Sequence, residues 1–182
     1  MNAKWNNRML ALATEVASWS KDPSTQVGAV ITDSMHRVIS MGYNGPPRGV
    51  VDVPTSRDEK LRRTIHAEKN AILFAHQSLM GCTIYVTHPC CAQCAAMVIQ
   101  AGIYRVVHTD RPLSSDWAPD LQSAAEMFRQ ASVIVESVPR IPDPRAVWLS
   151  IAERANVTVG KDGKRLHLSE EMCELMGTAL GL

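Results

Sequence analysis

Aromatic residues are scarce, with two Phe, three Tyr and four Trp in 182 residues, and neither sign of charge dominates: 19 Lys and Arg face 18 Asp and Glu, a formal net charge of +1. A chain with no basic stripe and no aromatic series lacks the two devices that track a single nucleic-acid strand. Its charge balance argues for no nucleic-acid partner and no membrane partner. No apolar run reaches the length of about 20 residues needed to span a bilayer. Met1 to Trp19 carries Glu15 inside its apolar part and has no small-residue cleavage site, so it does not read as a secretory signal. Cysteine is present but not as a framework. Five Cys, two of them in the Cys-x-x-Cys pair treated below, leave Cys82, Cys90 and Cys173, an odd and scattered remainder that fits a reducing, cytoplasmic setting. There is no internal repeat and no low-complexity segment.

The length suits one domain plus an extension. Asn6 to Ser20 carries an apolar stripe (Met9, Leu12, Ala13, Val16, Ala17) at helical spacing, ended by Lys21-Asp22-Pro23-Ser24. Val27–Thr32 and Arg37–Met41 are β-rich runs split by Asp33-Ser34-Met35-His36, which predicts a hairpin. Gly and Pro punctuate Gly42 to Gly49, which reads as a loop, followed by polar sequence to Arg63. A helix is expected from about His66 to His76. Then strands (Thr83–Thr87, Arg105–His108, Ser132–Val135) alternate with helices (Cys91–Gln100, Leu121–Gln130). Strand–helix alternation implies parallel strands with right-handed crossovers, and the hairpin adds an antiparallel pair. The expected fold is α/β: a three-layer α-β-α arrangement around a mixed five-stranded sheet. Pro139, Pro142 and Pro144 divide a domain over 1–138 from an extension over 139–182 of open role, in which a helix (Ala146–Ala155), a hairpin turning at Lys161-Asp162-Gly163 and a last helix (Glu170–Leu180) are expected.

The chemistry concentrates in His66-Ala67-Glu68 and Cys91-Ala92-Gln93-Cys94. One imidazole and two thiolates make three zinc ligands, and three ligands leave a tetrahedral position open for catalysis. The spacing of Cys91 and Cys94 puts both sulfurs on one face of a first helical turn, where the helix terminus favours thiolate. Two thiolates cancel the charge of Zn²⁺, so the ion acidifies water less than an all-His site does and a nearby base is needed. Glu68, two residues after the ligand His, is the carboxylate placed for that task. Together the two halves match H-x-E…P-C-x-x-C, the signature of zinc-dependent nucleobase deaminases.

Other readings exist. A Cys-x-x-Cys with a distant His is also the pattern of a structural zinc site, with His88 or Cys90 as fourth ligand, and of a non-catalytic zinc-stabilised interaction module. Glu68 discriminates, since a structural site has no use for an acid/base there. The signature places Pro directly before the first Cys, whereas this chain reads Pro89-Cys90-Cys91. Cys90 with Cys94 is the competing ligand pair, and the two-residue gap favours Cys91. His88 and His108 read as polar strand-end residues, and His36 as a solvated turn residue.

With these residues in hand, the chain resembles the deoxycytidylate (dCMP) deaminases of the cytidine deaminase-like superfamily. The resemblance runs from about Trp5 to Val135 and rests on Ser20-Lys21-Asp22-Pro23, Val27-Gly28-Ala29, Gly42-Tyr43-Asn44-Gly45, His66 through Ile72, Thr83 through Thr87, and Cys94 through Ile103. It implies hydrolysis of dCMP to dUMP and ammonia, supplying thymidylate synthesis, in a homohexamer activated by dCTP with Mg²⁺ and inhibited by dTTP. It implies zinc on His66, Cys91 and Cys94 with Glu68 as proton shuttle. Asn44 matches the residue that bonds the sugar hydroxyl, though a turn residue is the plainer reading. Backbone N–H groups of Ala67 and Cys91 would hold the pyrimidine and the attacking oxygen. Val27 would line the base pocket or serve as core. Lys21 to Gln26, with Lys21 and Ser24, resembles the phosphate side, where Lys21 reads equally as a solvated charge. Gly42, Tyr43, Asn44 and Gly45 resemble the effector motif. Trp117 is the candidate to stack on the base, with simple packing as its alternative. Substrate choice lies outside the zinc motif, so dCTP, a free nucleoside or another aminated base is the competing substrate class.

Overall fold

Alternation along the strands decides which helix covers which face. In the computed structural model, which describes residues 3–52, 56–111 and 114–139, Val30, Tyr85 and Val107 face one side of a sheet, while Ala29, Ile31, Ile84, Val86 and Val106 face the other. Both sets are fully buried. Each such apolar side chain contributes roughly 1.5–3 kcal/mol over its exposed state. A sheet buried on both faces needs helices on both, and it has them.

The chain begins with α1 (Ala3–Ala17), followed by the hairpin β1 (Gly28–Thr32) and β2 (Val38–Tyr43), then α2 (Arg57–Arg63) and α3 (Ala67–Leu73). The units β3 (Thr83–Val86), α4 (Ala92–Gln100), β4 (Arg105–Asp110), α5 (Ala118–Gln130) and β5 (Ile134–Pro139) complete it, with a 3₁₀ turn at Ser115–Trp117 before α5. The five strands run in the order β2-β1-β3-β4-β5. β1 is antiparallel to both β2 and β3, and β3, β4 and β5 are parallel. Helix α1 covers one face through Met9, Leu10, Ala13 and Val16. On the other face α3, α4 and α5 pack through Ala67, Ala71, Ala95, Val98, Ala124 and Phe128. This is the expected three-layer architecture with a mixed five-stranded sheet.

Two glycines set how closely helix and sheet meet. A Cβ on Gly28 would lie 2.0 Å from the Ala13 carbonyl oxygen, and one on Gly42 would lie 2.4 Å from that of Ala67. Helices α1 and α3 therefore rest directly on strand backbone. The second contact corrects the loop expected from Gly42 onward: Gly42 and Tyr43 finish β2, pairing with Ala29 and Gly28. A glycine that reads as a turn in sequence is here a packing residue, on an edge strand. The polar stretch before Arg63 also holds a helix, α2, started by the Ser56 side chain accepting from the Glu59 N–H. It has no apolar stripe, so periodicity could not find it. Helix α1 starts earlier and stops sooner than expected, at Ala3 and Ala17, because Ser18, Trp19 and Ser20 close it with tight turns to Glu15, Val16 and Ala17 carbonyls. His36 is not simply solvated: it stacks on Trp5 with ring centroids 4.6 Å apart.

These elements all lie in one compact unit, Met1–Pro139. The helices and hairpin expected from Ala146 to Leu180 fall outside the described residues. No helix among the described residues is long and apolar enough to cross a membrane.

Candidate active site and metal centre

Four segments converge at one end of the sheet. The antiparallel pairing of β1 with β3 places Gly28 beside Thr87, with the Thr87 N–H donating to the Gly28 carbonyl at 3.1 Å and the Gly28 N–H to Thr87 Oγ1 at 3.1 Å. Asn44 pairs with Val27 just beyond β2, and a two-bond bridge between Gly45 and Ile65 delivers the chain to His66. His66 is the N-cap of α3 and Cys91 the N-cap of α4. Both have extended backbone (ψ 156° and 166°), the conformation that turns a chain into a helix and leaves the cap side chain at its terminus.

There His66 Nδ1 lies 3.4 Å from Cys91 Sγ and 3.4 Å from Cys94 Sγ, with all three ligand atoms within 4.8 Å of one another. A tetrahedral zinc ion about 2.3 Å from sulfur and about 2.0 Å from nitrogen sets its ligand atoms roughly 3.5 Å apart. The donor set therefore fits zinc by element and by spacing. Cys94 is fully buried. The Cys94 thiol, hydrogen-bonded to Cys91, draws the Cys91 thiol down to about 4, helped by His66 and against its burial. The same bond pushes Cys94 up. His66 is raised, first by its hydrogen bond to Cys91. The cluster thus holds anionic sulfur ready for a cation.

Glu68 lies in the first turn of α3 and is 3 % exposed. Burial is the main cause that raises its carboxyl above the usual range, and the Cys91 sulfur adds to it while His66 opposes it. Cys90 does not join the three ligand atoms. Its thiol, also buried, donates to the Glu68 carboxylate, and burial with that contact pushes it well above an ordinary thiol.

The remaining sequence candidates divide. Ala67 is fully buried beside His66, and among the described residues neither its N–H nor that of Cys91 donates to a backbone carbonyl. Asn44, 5 % exposed, ties the loop together: its Oδ1 accepts from the Val27 N–H at 2.8 Å and its Nδ2 donates to the Thr25 carbonyl at 2.9 Å. Two of its amide's hydrogen bonds are spent inside the protein. Val27 is half-buried against the core under α3 and α4, as is Trp117. Lys21 is exposed. Ser24 is bound into a turn, its N–H and Oγ both donating to Asp22 Oδ1.

Two residues were not found from sequence. Lys60 of α2 reaches 2.6 Å from Asp22 Oδ1 and 2.7 Å from Ser24 Oγ, pinning α2 to the 22–25 turn. Partial burial works against Asp22, but Lys60 and the Ser24 and Thr25 N–H groups pull its carboxyl down to about 2. Asp120 of α5 accepts from the Ala92 N–H at 2.9 Å, at the start of the helix that carries Cys94. Neither carries a local signal beyond a charge in a polar stretch.

Residues 3–109 match the family described as the cytidine and deoxycytidylate deaminase zinc-binding region. An uncharacterized deaminase in the luxG 3′ region of Aliivibrio fischeri is 48% identical over 143 residues, covering 76% of this chain and 97% of that one. The deoxycytidylate deaminase of Homo sapiens is 37% identical over 140 residues, covering 71% of this chain and 77% of the human protein. The crystal structure of dCMP deaminase from the cyanophage S-TIM5 in complex with dCMP and dUMP shares the fold at a TM-score of 0.64 and 23% identity, over 76% of this chain and 99% of that one. With a His-Cys-Cys cluster whose spacing fits zinc, a buried carboxylate beside it and a family match over more than half its length, this chain belongs to the cytidine and deoxycytidylate deaminase family.

Proposed function

We propose that the protein hydrolyses dCMP to dUMP and ammonia, with His66, Cys91 and Cys94 as zinc ligands and Glu68 as the proton carrier. The observation that carries this reading is Glu68 itself: a carboxylate buried at the edge of a His-Cys-Cys cluster, held above its usual pKa by burial. The human relative's name and the cyanophage enzyme's bound dCMP and dUMP support the substrate. Zinc, when bound, supplies a Lewis acid that polarises the attacking water. Glu68 takes a proton from that water as its oxygen adds to C4 of the cytosine ring. The carboxyl passes that proton to ring N3, then takes the second one from the new C4 hydroxyl as the C4–O bond becomes a carbonyl, and hands it to the amine, which leaves C4 as ammonia. A carboxyl raised above the usual range by burial is suited to accept and return the same proton. The Ala67 and Cys91 N–H groups orient the pyrimidine and the oxygen, Val27 walls the base, and Trp117 stacks on it from the α5 side.

Asn44 fits the deoxyribose hydroxyl, with the amide hydrogen not spent on Thr25. Lys21 and Ser24 take the 5′-phosphate side. Gly42, Tyr43, Asn44 and Gly45 form the effector segment for dCTP with Mg²⁺ and for dTTP in a homohexamer, in the cytoplasm. The Gly45–Ile65 bridge supports coupling of that segment to His66, its immediate neighbour. The 1–138 portion acts as the deaminase domain, with 139–182 as an appendage. The deciding experiment is ammonia release from dCMP, dCTP, deoxycytidine and cytosine side by side, with and without dCTP plus Mg²⁺. Turnover of dCMP well above the other three is expected. Preference for dCTP or the free nucleoside overturns the substrate, and hyperbolic kinetics indifferent to dCTP and dTTP overturn the regulation alone.

A further inference from the structure

The first turn of α4 carries both sulfurs of the metal centre, so whatever fixes that turn fixes the centre. Two of its N–H groups have partners from side chains. The Cys94 N–H donates to Cys91 Sγ at 3.4 Å, and the Ala92 N–H donates to Asp120 Oδ2 at 2.9 Å. Asp120 comes from the neighbouring helix. It extends the stripe of Ala124 and Phe128, buried at spacings of four residues on the face of α5 that packs on α4. The apolar stripe thus ends in a carboxylate where α4 begins. The peptide that Asp120 grips joins Cys91 to Ala92, and its plane is set by the Cys91 ψ of 166°. Rotation of that plane changes ψ directly, moves the Cys91 carbonyl and α4 against Cys91 Sγ, and loosens the Cys94 N–H contact.

We propose that Asp120 is a positioning residue for the metal centre: its bond to the Ala92 N–H locks the Cys91–Ala92 peptide and slows loss of zinc from His66, Cys91 and Cys94. It touches neither substrate nor metal in this role. The inference rests on the zinc reading of that cluster.

The bond can be cut from either side. Asp120→Ala removes the acceptor. Ala92→Pro removes the donor at the first helical position, a usual place for proline, its ring displaces the Asp120 carboxylate from that spot, and Cys91 already has the extended backbone a residue before proline adopts (φ −72°, ψ 166°). Asp120→Asn keeps an acceptor oxygen and drops the charge. The readout is the rate of zinc release from purified holoprotein into excess chromophoric chelator, with thermal midpoints measured in parallel. Asp120→Ala and Ala92→Pro should each release zinc about 10- to 100-fold faster, the usual effect of removing support behind a metal ligand. Combined, they should be no faster than about threefold beyond the faster single variant, because both cut one bond. Asp120→Asn should stay within about threefold of wild type, as should Phe128→Leu, which loosens α4–α5 packing without touching the peptide. Wild-type release rates in Ala92→Pro, or effects that multiply in the double variant, overturn the proposal, and Ala92→Pro decides it alone if Asp120→Ala does not fold. Equal acceleration in Phe128→Leu overturns it in favour of plain packing. A wild-type protein that takes up no zinc overturns the metal reading and this inference together.

Discussion

The two faces of the sheet each bury an ionisable side chain, and they treat it in opposite ways. Under α1, Arg105 is 4 % exposed, and each of its three guanidinium nitrogens has an acceptor. It donates to Glu136 Oε1 at 3.1 Å and Oε2 at 2.7 Å, and to Asn6 Oδ1 at 2.8 Å, while Asn6 Nδ2 donates back to Glu136 at 3.1 Å. Its ring neighbour is Tyr85. Under α3, Glu68 is as deeply buried, yet among the described residues it forms no ion pair and its close neighbours are thiols. A closed network holds one protonation state and ties α1 to β4 and β5. A buried carboxylate with no counter-ion, met by the Cys90 thiol, is held above its usual range by its dry surroundings. Burial alone does not mark function; burial without a counter-charge does.

The comparison breaks first at Glu68. Glu68→Gln should keep fold and zinc and lose turnover by about 10²–10⁴-fold, toward the upper end because one group serves several transfers. Because burial disfavours its charge, the variant's thermal midpoint should equal or exceed that of wild type. Steady-state ammonia release and a melting curve check both halves. A variant with more than about a tenth of wild-type activity would sink the proton-carrier role.

Arg105 should behave in reverse. Arg105→Met strands Glu136 and the Asn6 carbonyl, and removing one partner of a buried pair costs about 3 kcal/mol here, at the low end because Glu136 keeps some solvent. Urea unfolding should show that loss, while turnover of the folded fraction stays within about twofold, since the network touches no residue of the site. A large fall in kcat with unchanged stability would mean that the two faces communicate and that the contrast is false.

How far the sequence reveals this depends on the kind of signal. The His66, Cys91 and Cys94 cluster, with Glu68 beside it, is legible because metal chemistry demands fixed residue types at fixed spacing, and the structure brings these residues together. The central strands β1, β3 and β4 were legible because burial on both faces leaves short apolar runs, and the half-exposed edge strands β2 and β5 because β-branched residues cluster beside turn residues. Gly42 was misread because a glycine in a loop and a glycine under a helix look alike until α3 is seen resting on it. Helix α2 escaped because its stability comes from a cap and charges, with no buried face. Lys60 and Asp120 act across gaps of 38 and 28 residues, and no local pattern records such partners.

Asn44 sharpens the comparison at intermediate cost, since it is a buried polar group that ties the 20–27 loop and, in the proposed function, also meets the sugar. Asn44→Ala leaves the Val27 N–H and Thr25 carbonyl unmet, a loss of about 1–3 kcal/mol. The 20–27 loop should loosen, and dCMP turnover should fall roughly 10- to 100-fold with zinc retained. Full activity with lowered stability would reduce Asn44 to a loop tie.

The smallest effect belongs to the charge pair that is neither buried nor free. Asp22 and Lys60 meet at 2.6 Å with the lysine side chain 25 % exposed, so solvent screens the pair. The Asp22 carboxyl is depressed to about 2 in the folded protein. A depressed carboxyl stabilises the fold above its unfolded pKa near 3.8 and loses that contribution as pH falls toward 2. After discounting for screening, the contribution at neutral pH is about 1 kcal/mol. Asp22→Asn should therefore unfold at lower urea than wild type at pH 7 and at pH 5. The gap should narrow from about pH 4 downward, as wild type loses its own charge. Urea midpoints taken along that range test it, at low and high salt, with salt shrinking the gap. A gap that persists unchanged to pH 2 would put the stabilisation in the turn hydrogen bonds to Ser24 and Thr25, which asparagine can keep only in part, and not in the charge.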